Sequence, residues 1–256
     1  MPYQILICVL AGLGAGLGTG FAGMSAAAVI SPMLVAFLDV DPYLAVGIAL
    51  ASDVLASAVS AVTYGKNKNL DIRNGLIMML AVLCFTAVGS LVASAVPKTT
   101  MGNFSVFMTL LLGIKFIVRP VVEPKARFMG ATARQKAIRS VICGALVGFI
   151  CGFVGAGGGM MMLLVLTSVL GYELKTAVGT SVFIMSATAL TGAVSHFALG
   201  GFPDPLILAV CVISTLVFAQ VAALFANKAQ PKTLNRVVGA ILVILGAAIL
   251  VVNFMG

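Results

Sequence analysis

Residues 16–28 read GLGTGFAGMSAAA and residues 148–160 read GFICGFVGAGGGM. Each stretch lies in the middle of a long apolar run, the first at 4–38 and the second at 137–170. One unbroken helix of ~35 residues would be about 52 Å long, whereas the hydrocarbon core of a bilayer is ~30 Å thick. Glycine tolerates a broken helix. Each run is therefore predicted to form two helical arms joined at its glycine-rich interruption.

The composition indicates a membrane protein. Apolar residues make up 61% of the chain, charged residues only 9%, and the mean hydropathy is +1.20. A soluble domain carries about 25% charged residues. The apolar runs are continuous and do not alternate, which favours helices over a barrel. We predict an all-α polytopic membrane protein with 8–10 membrane helical segments, in runs at 4–38, 44–64, 74–96, 101–118, 137–170, 174–199, 205–226 and 237–254.

An internal repeat appears when the sequence is shifted by 132 residues. The shift places Gly12, Gly16, Gly20, Phe21 and Gly23 on Gly144, Gly148, Gly152, Phe153 and Gly155, and AVG at 45–47 on AVG at 177–179. The sequence thus predicts two homologous halves, 1–118 and 137–256, each with a broken first segment and three further helices. A basic cytoplasmic linker at 119–136 would separate them. Two-fold internal repeats are typical of secondary transporters.

The placement of Lys and Arg predicts how the halves are oriented. If each broken run crossed the membrane once, ten basic residues would lie on one face and five on the other. If each run entered and returned, the second half would be inverted, with fourteen basic residues inside and only Lys98 outside. Basic loops stay cytoplasmic. We therefore predict inverted repeats in a multi-pass protein of the cell (inner or plasma) membrane.

The interruptions are predicted to bind an anion. The second arm of each run begins just after the glycines, so its free N–H groups and positive dipole end face the interruption. Such helix starts bind oxyanions without a cationic side chain. The alternative is close helix packing, which we predict for Gly12, Gly16, Gly20, Gly144, Gly148 and Gly152. Three consecutive glycines cost a helix about 3 kcal/mol. The predicted substrate-binding residues here are Gly23, Ser25, Ala26, Gly155, Gly157, Gly158 and Gly159.

Five polar residues within the apolar runs are further candidates. Asp53 lies near mid-depth, where a carboxylate is expensive and marks function by default; the alternative is a neutral, hydrogen-bonded group. Tyr64 and His196 occupy equivalent positions in the repeat. Each is a candidate gating contact, and the alternative is an ordinary residue at the membrane interface. Thr180 and Ser181 would donate hydroxyl hydrogen bonds to an oxyanion or between helices.

The second stretch, together with AVGTS at 177–181 and His196, resembles the signature of the sulfite exporter TauE/SafE family, also known as the toluene-sulfonate uptake permeases. The first half departs from it, with SAA at 25–27 in place of GGG and Ile48-Ala49 in place of Thr180-Ser181. The resemblance implies transport of sulfur oxyanions or organosulfonates, such as sulfite or sulfoacetate.

The predicted function is secondary transport of a small sulfur-containing anion held at the interruptions near the membrane midplane, with protons as a candidate coupling ion. One alternative is a proton- or cation-coupled transporter of another small metabolite or metal ion that uses Asp53. Another is an integral membrane enzyme or assembly factor, which the single histidine and seven acidic residues disfavour. No cofactor, metal site or nucleic-acid partner is expected. The bilayer is a partner, and the sequence leaves a homo-oligomer open.

Overall fold

The computed structural model describes residues 2–93, 132–154 and 158–230, with single positions at 114 and 117–118 and scattered between 233 and 251. Throughout this described part the chain is helical and has no strand, which confirms the all-α prediction. The helices are α1 Pro2–Ala22, α2 Ala27–Leu38, α3 Pro42–Lys66, α4 Ile72–Ala93, α5 Ala133–Val154, α6 Gly158–Ser168, α7 Leu174–Gly200 and α8 Pro205–Lys228.

Four of these helices are long and apolar enough to cross a membrane: Pro2–Ala22, Tyr43–Lys66, Leu174–Ala198 and Pro205–Lys228. Two shorter apolar helices cover Ile72–Thr86 and Ala137–Phe149. The membrane class is therefore confirmed. The total of 8–10 segments and the division into halves stay predictions, because much of 94–131 and of the C-terminal run lies outside the described residues.

The first apolar run forms two helices, as predicted. Helix α1 ends at Ala22 and α2 begins at Ala27, so the interruption occupies residues 23–26. In the second run, α5 ends at Val154 and α6 begins at Gly158. Helix α2 has 12 residues and therefore rises only about 18 Å. An arm of this length is too short to cross a hydrocarbon core of ~30 Å by itself.

Glycines allow two pairs of helices to lie in direct contact. Helix α1 runs parallel to α8: a Cβ at Gly16 would lie 2.7 Å from the Thr215 carbonyl oxygen, and Gly20 contacts Ala222 further along. Helix α5 runs parallel to α4, where a Cβ at Gly144 would lie 2.8 Å from the Met78 carbonyl oxygen. Any larger residue would separate these helices. The packing role predicted for Gly12, Gly16, Gly20, Gly144 and Gly148 is confirmed, while Gly152 has no described surroundings.

The helix faces that point away from these close contacts carry large apolar side chains toward lipid. On α8 the buried side chains are small, whereas Ile213, Val217, Val221 and Phe225 are exposed along one stripe. Small residues inside and large apolar residues outside are the pattern of a helix bundle packed in lipid, where close backbone approach drives association.

Helices α3 and α7 are antiparallel and define two ends of the bundle. At the His196 end, which contains loops 39–41 and 201–204, the rings of Tyr43 and His196 stack with centroids 4.2 Å apart. At the Asp71 end, which contains loops 67–71 and 169–173, Tyr172 contacts Asp71. Helices α3 and α8 both begin at the His196 end, each with an aspartate N-cap followed by proline.

Candidate functional site

The first interruption begins with a glycine C-cap. Gly23 has φ +61°, a left-handed conformation that glycine adopts without strain. Its N–H donates to the Thr19 carbonyl at 2.9 Å, and the Met24 N–H donates to the Gly18 carbonyl at 3.3 Å. These bonds satisfy the last carbonyls of α1. The buried Thr19 hydroxyl donates to the Met24 carbonyl at 2.9 Å, which fixes the turn.

The start of α2 follows at Ser25 and Ala26, both buried. The Ser25 hydroxyl accepts from the Ala27 N–H at 3.3 Å. Ala26 is the N-cap residue and offers no side-chain cap of its own. The next donors also have local partners, because the Ala28 N–H donates to the Ser25 carbonyl at 3.2 Å and the Val29 N–H donates to the Ala26 carbonyl at 3.1 Å.

Asp53 from α3 lies beside this helix start. The side chain is fully buried. Its Oδ1 accepts from the Ser57 hydroxyl at 2.8 Å, and the carboxyl group also interacts with the Ser25 side chain and the Ala26 N–H. Its Oδ2 is buried without a hydrogen-bond partner. The carboxyl group thus lies beside the start of α2, whose N-cap residue Ala26 has no side-chain acceptor of its own.

The start of α6 touches the first interruption. A Cβ at Gly159, the second residue of α6, would lie 2.7 Å from both the Gly23 carbonyl oxygen and the Ser25 nitrogen. Only a residue without a side chain allows this approach. Gly158 is the first residue of α6, whereas Gly155 and Gly157 lie outside the described residues. The two glycine-rich stretches of the sequence therefore meet at one place.

Ser181 on α7 bridges the two interruptions. Its hydroxyl lies 3.0 Å from the Gly23 carbonyl oxygen and 3.5 Å from the Gly159 carbonyl oxygen, and the side chain is fully buried. A Cβ at Gly23 would come within 3.1 Å of Ser181, so this side of the loop is also closely packed. Ser181 is thereby the side chain of the second half that reaches the start of α2.

Thr180, the neighbour of Ser181, points elsewhere. Its hydroxyl oxygen accepts from the Asp71 N–H at 3.2 Å. Tyr172 donates to Asp71 Oδ2 at 2.7 Å; burial, and then the adjoining Asp71, raise the pKa of Tyr172, so this hydroxyl stays protonated. Asn69 donates to Asn227 Oδ1 at 2.7 Å. Thr180 thus belongs to a polar network that joins the loops at the Asp71 end.

Tyr64 and His196 lie at opposite ends. Tyr64 is fully buried, and its hydroxyl donates to the Gly20 carbonyl at 2.9 Å, less than one turn before the first interruption. His196 is only partly buried, and its Nδ1 lies 3.1 Å from the Tyr43 carbonyl oxygen. The structure brings Tyr64 close to the interruptions and places His196 away from them.

Sequence reasoning missed Thr19 and the network of Asn69, Asp71, Tyr172 and Asn227. Thr19 sits inside the quoted stretch, and its position four residues before Gly23 was the available signal. The network had no comparable signal, because its members come from two loops and the last turn of α8, which are distant in sequence. Across the described residues, no three of the His, Cys, Asp and Glu side chains come together as a metal site would require.

The arrangement offers hydrogen-bond donors and one carboxyl group, without an arrangement for covalent chemistry. Backbone N–H groups, the Ser25 and Ser181 hydroxyls and Asp53 surround a buried helix start. Such a group can hold and release a small polar solute. The sequence pattern of the sulfite exporter TauE/SafE family matches residues 8–249 of this chain.

The chain belongs to the sulfite exporter TauE/SafE family.

Curated relatives agree with this assignment over nearly the whole chain. It is 27% identical to the probable membrane transporter protein YunE of Bacillus subtilis, covering 96% of this chain and 97% of the relative. It is 24% identical to the probable membrane transporter protein YdhB of the same species, covering 83% and 86%. A probable membrane transporter protein of Methanocaldococcus jannaschii is 23% identical, with 96% and 94% covered. This TauE/SafE chain is therefore an integral membrane transporter and not an enzyme.

Proposed function

We propose that this chain is a secondary transporter of small sulfur-containing anions, sulfite or an organosulfonate such as sulfoacetate, in the cell membrane. The observation that carries the proposal is the buried start of α2, surrounded by Ser25, Ala26 and Ser181 and contacted by Gly159. A helix start carries about half a positive charge. That partial charge attracts an oxyanion while leaving it free to dissociate. The Ala27 and Ala28 N–H groups would turn to the anion from their present hydrogen bonds to Ser25.

Binding would require the interruptions to move apart. Gly159 lies against Gly23 and Ser25 with no space for a solute between them. Separation of α6 from the loop at 23–26 would expose the N–H groups of α2. We propose that the contact between the interruptions is a closed state and that transport alternates between openings toward the two ends of the bundle.

The inverted repeat is also a proposal, and matched contacts support it. A Cβ at Gly47 would lie 3.2 Å from His196 Cβ, and one at Gly179 would lie 2.8 Å from Tyr64 Cβ. A shift of 132 residues converts the first pair into the second. The parallel pairs α1–α8 and α5–α4 are related by the same shift. A reporter fusion within 227–230 should give a cytoplasmic signal and one within 199–204 a periplasmic signal; a periplasmic signal at 227–230 would contradict the inversion.

A second candidate function rests on Asp53. A buried carboxyl oxygen without a partner is expensive in a membrane. It would also suit a proton- or cation-coupled transporter of another small metabolite or a metal ion. The substrate panel below separates the two functions, since that transporter would leave sulfur anions unmoved.

The test is flux into proteoliposomes. Purified protein should move labelled sulfite or sulfoacetate at least tenfold faster than protein-free vesicles, and taurine, which carries a compensating positive charge, more slowly. Each flux is measured with and without a proton gradient. A matched vesicle set contains the Gly159→Ala variant, in which the closely packed glycine is replaced. If wild type moves none of the three solutes and the reconstituted protein is folded, the sulfur-anion proposal is wrong.

A further inference from the structure

The Asp53 carboxyl group occupies the place where an anion would bind. It interacts with the Ser25 side chain and the Ala26 N–H, the same groups that the start of α2 would offer to a substrate. One helix start supplies only about half a positive charge. Two negative charges at this start would repel each other in a water-poor interior.

No cation near Asp53 relieves that repulsion within the described part of the chain. Helices α1, α2, α7 and α8 pack against α3. Their titratable side chains are Tyr3 and Cys8 on α1, Lys175 and His196 on α7, and Cys211 and Lys228 on α8. None of these acts on the Asp53 carboxyl group, whose interactions are with Ser57, Ser25 and Ala26. A proton is therefore the simplest way to remove its charge.

Protonation would also change what Oδ2 can do. The Ser57 hydroxyl already donates to Oδ1, which leaves the buried and unpartnered Oδ2 to carry the proton. An ionised carboxylate only accepts hydrogen bonds, whereas a carboxylic acid donates one. The same atom that repels an anion when ionised becomes a donor toward it when protonated.

A polar stripe on α3 connects this position with the Asp71 end. Asp53, Ser57, Ser60 and Tyr64 follow one another at spacings of four, three and four residues and therefore share one helix face. All four are fully buried, and the Ser60 hydroxyl has no hydrogen-bond partner. Unpartnered buried hydroxyl groups are commonly satisfied by water, so this face suits the passage of a proton.

We propose that Asp53 takes up one proton when the anion binds at the start of α2, so that anion and proton cross the membrane together. This inference rests on the proposed function. The proton comes from water on the side where the anion enters and forms an O–H bond at Oδ2. It returns to water on the other side when the anion leaves, and no other bond changes.

The first test uses Asp53→Asn, which is permanently uncharged and keeps a donor at this position. Sulfoacetate is the probe, because its charge is constant between about pH 6 and 8.5. In wild type, a proton gradient should drive at least tenfold accumulation, and KM should rise with pH by up to about tenfold per unit for one proton. In the variant we expect exchange of sulfoacetate across the vesicle membrane to be slower than in wild type and independent of pH. Its accumulation in response to the proton gradient should be absent and its KM should not change with pH.

Ser52→Ala is the matched control. Ser52 is equally buried on the same helix, but its hydroxyl donates to the Ile48 carbonyl within α3. We expect this variant to keep proton-driven accumulation. If Asp53→Asn accumulates sulfoacetate like wild type, the inference is wrong. If Asp53→Asn has lost exchange as well, the infrared measurement decides.

Infrared difference spectra provide a readout other than flux. Addition of sulfoacetate to wild type should increase the C=O absorption of a protonated carboxylic acid, and Asp53→Asn should show no increase. Sulfoacetate binding without such an increase in wild type contradicts proton uptake by Asp53. Wild-type vesicles that transport sulfoacetate without any response to a proton gradient contradict the inference alone, whereas vesicles that move no sulfur anion contradict the proposed function.

Discussion

The side chains around the first interruption differ from those that the 132-residue shift places at the second. In the first half Asp53 is fully buried beside the start of α2; the equivalent residue of the second half is Met185. In the second half Ser181 reaches Gly23, whereas its equivalent in the first half is the buried Ala49. Ser25 stands where the second half has Gly157.

This difference indicates that one interruption carries the polar chemistry. Asp53, Ser25 and Ser181 all lie at the first interruption, although Ser181 comes from the other half. Their equivalents are methionine, glycine and alanine, which offer no side-chain hydrogen bond. A repeated backbone arrangement therefore does not imply two equivalent sites, and substitutions at matching positions should have unequal effects.

The largest effect is expected at the contact between the interruptions. Gly159→Ala places a methyl group 2.7 Å from Gly23 and Ser25, so the loop or α6 has to shift, at a cost of about 1–3 kcal/mol. We expect sulfoacetate flux to fall at least tenfold and the melting temperature to drop. Gly65→Ala is the control, since its new methyl group would meet only the flexible end of Leu70 at 3.3 Å. Equal flux in the two variants would show that the contact is unimportant.

A carboxyl group at the equivalent position of the second half should be harmful. Met185→Asp buries a charge without the serine hydroxyls that Asp53 has, and a charge at mid-membrane costs about 2.5–3.5 kcal/mol. We expect lower yield and a clearly reduced melting temperature in detergent, with Met185→Leu close to wild type. Unchanged stability would mean that the second interruption is as polar as the first.

Removal of the bridging hydroxyl should have a smaller effect. Ser181→Ala removes the hydrogen bond to the Gly23 carbonyl, worth about 1 kcal/mol, and a donor for the anion. We expect KM for sulfoacetate to rise about fivefold. The reciprocal variant Ala49→Ser should leave KM unchanged, because the proposed anion site lies at the first interruption. A matching rise in Ala49→Ser would argue for two sites.

The smallest effect is expected at the Asp71 end. Tyr172→Phe removes the hydrogen bond to Asp71 Oδ2, which should cost about 1–2 kcal/mol. Burial raises the pKa of Tyr172. The neutral hydroxyl therefore makes its full contribution to stability below its ordinary pKa of ~10. That contribution is lost only as the pH rises above the raised pKa. The difference in melting temperature between variant and wild type should be the same at pH 6 and pH 9. A difference that shrinks by pH 9 would indicate an ionised tyrosine.

The broken first run and the packing glycines could be predicted because length and spacing alone determine them. The meeting of Gly159 with Gly23 could not, because it depends on how two distant segments pack. Thr180 and Ser181 show another limit. Adjacent residues of a helix point about 100° apart, so only Ser181 faces the interruptions while Thr180 faces Asp71. The sequence identified Asp53 as a candidate because a buried carboxylate is expensive. It did not predict that Asp53 lies beside the start of α2.

The pairing of α1 with α8 has a consequence for biogenesis. Helix α1 leaves the ribosome well before its partner, because the partner for its glycine face begins at Pro205. At about 5–20 residues per second, synthesis of the intervening chain takes on the order of ten seconds or more. During that interval the glycine face of α1 is without its final neighbour, so the nascent chain depends on lipid or on the insertion machinery to shelter it until α8 has been made.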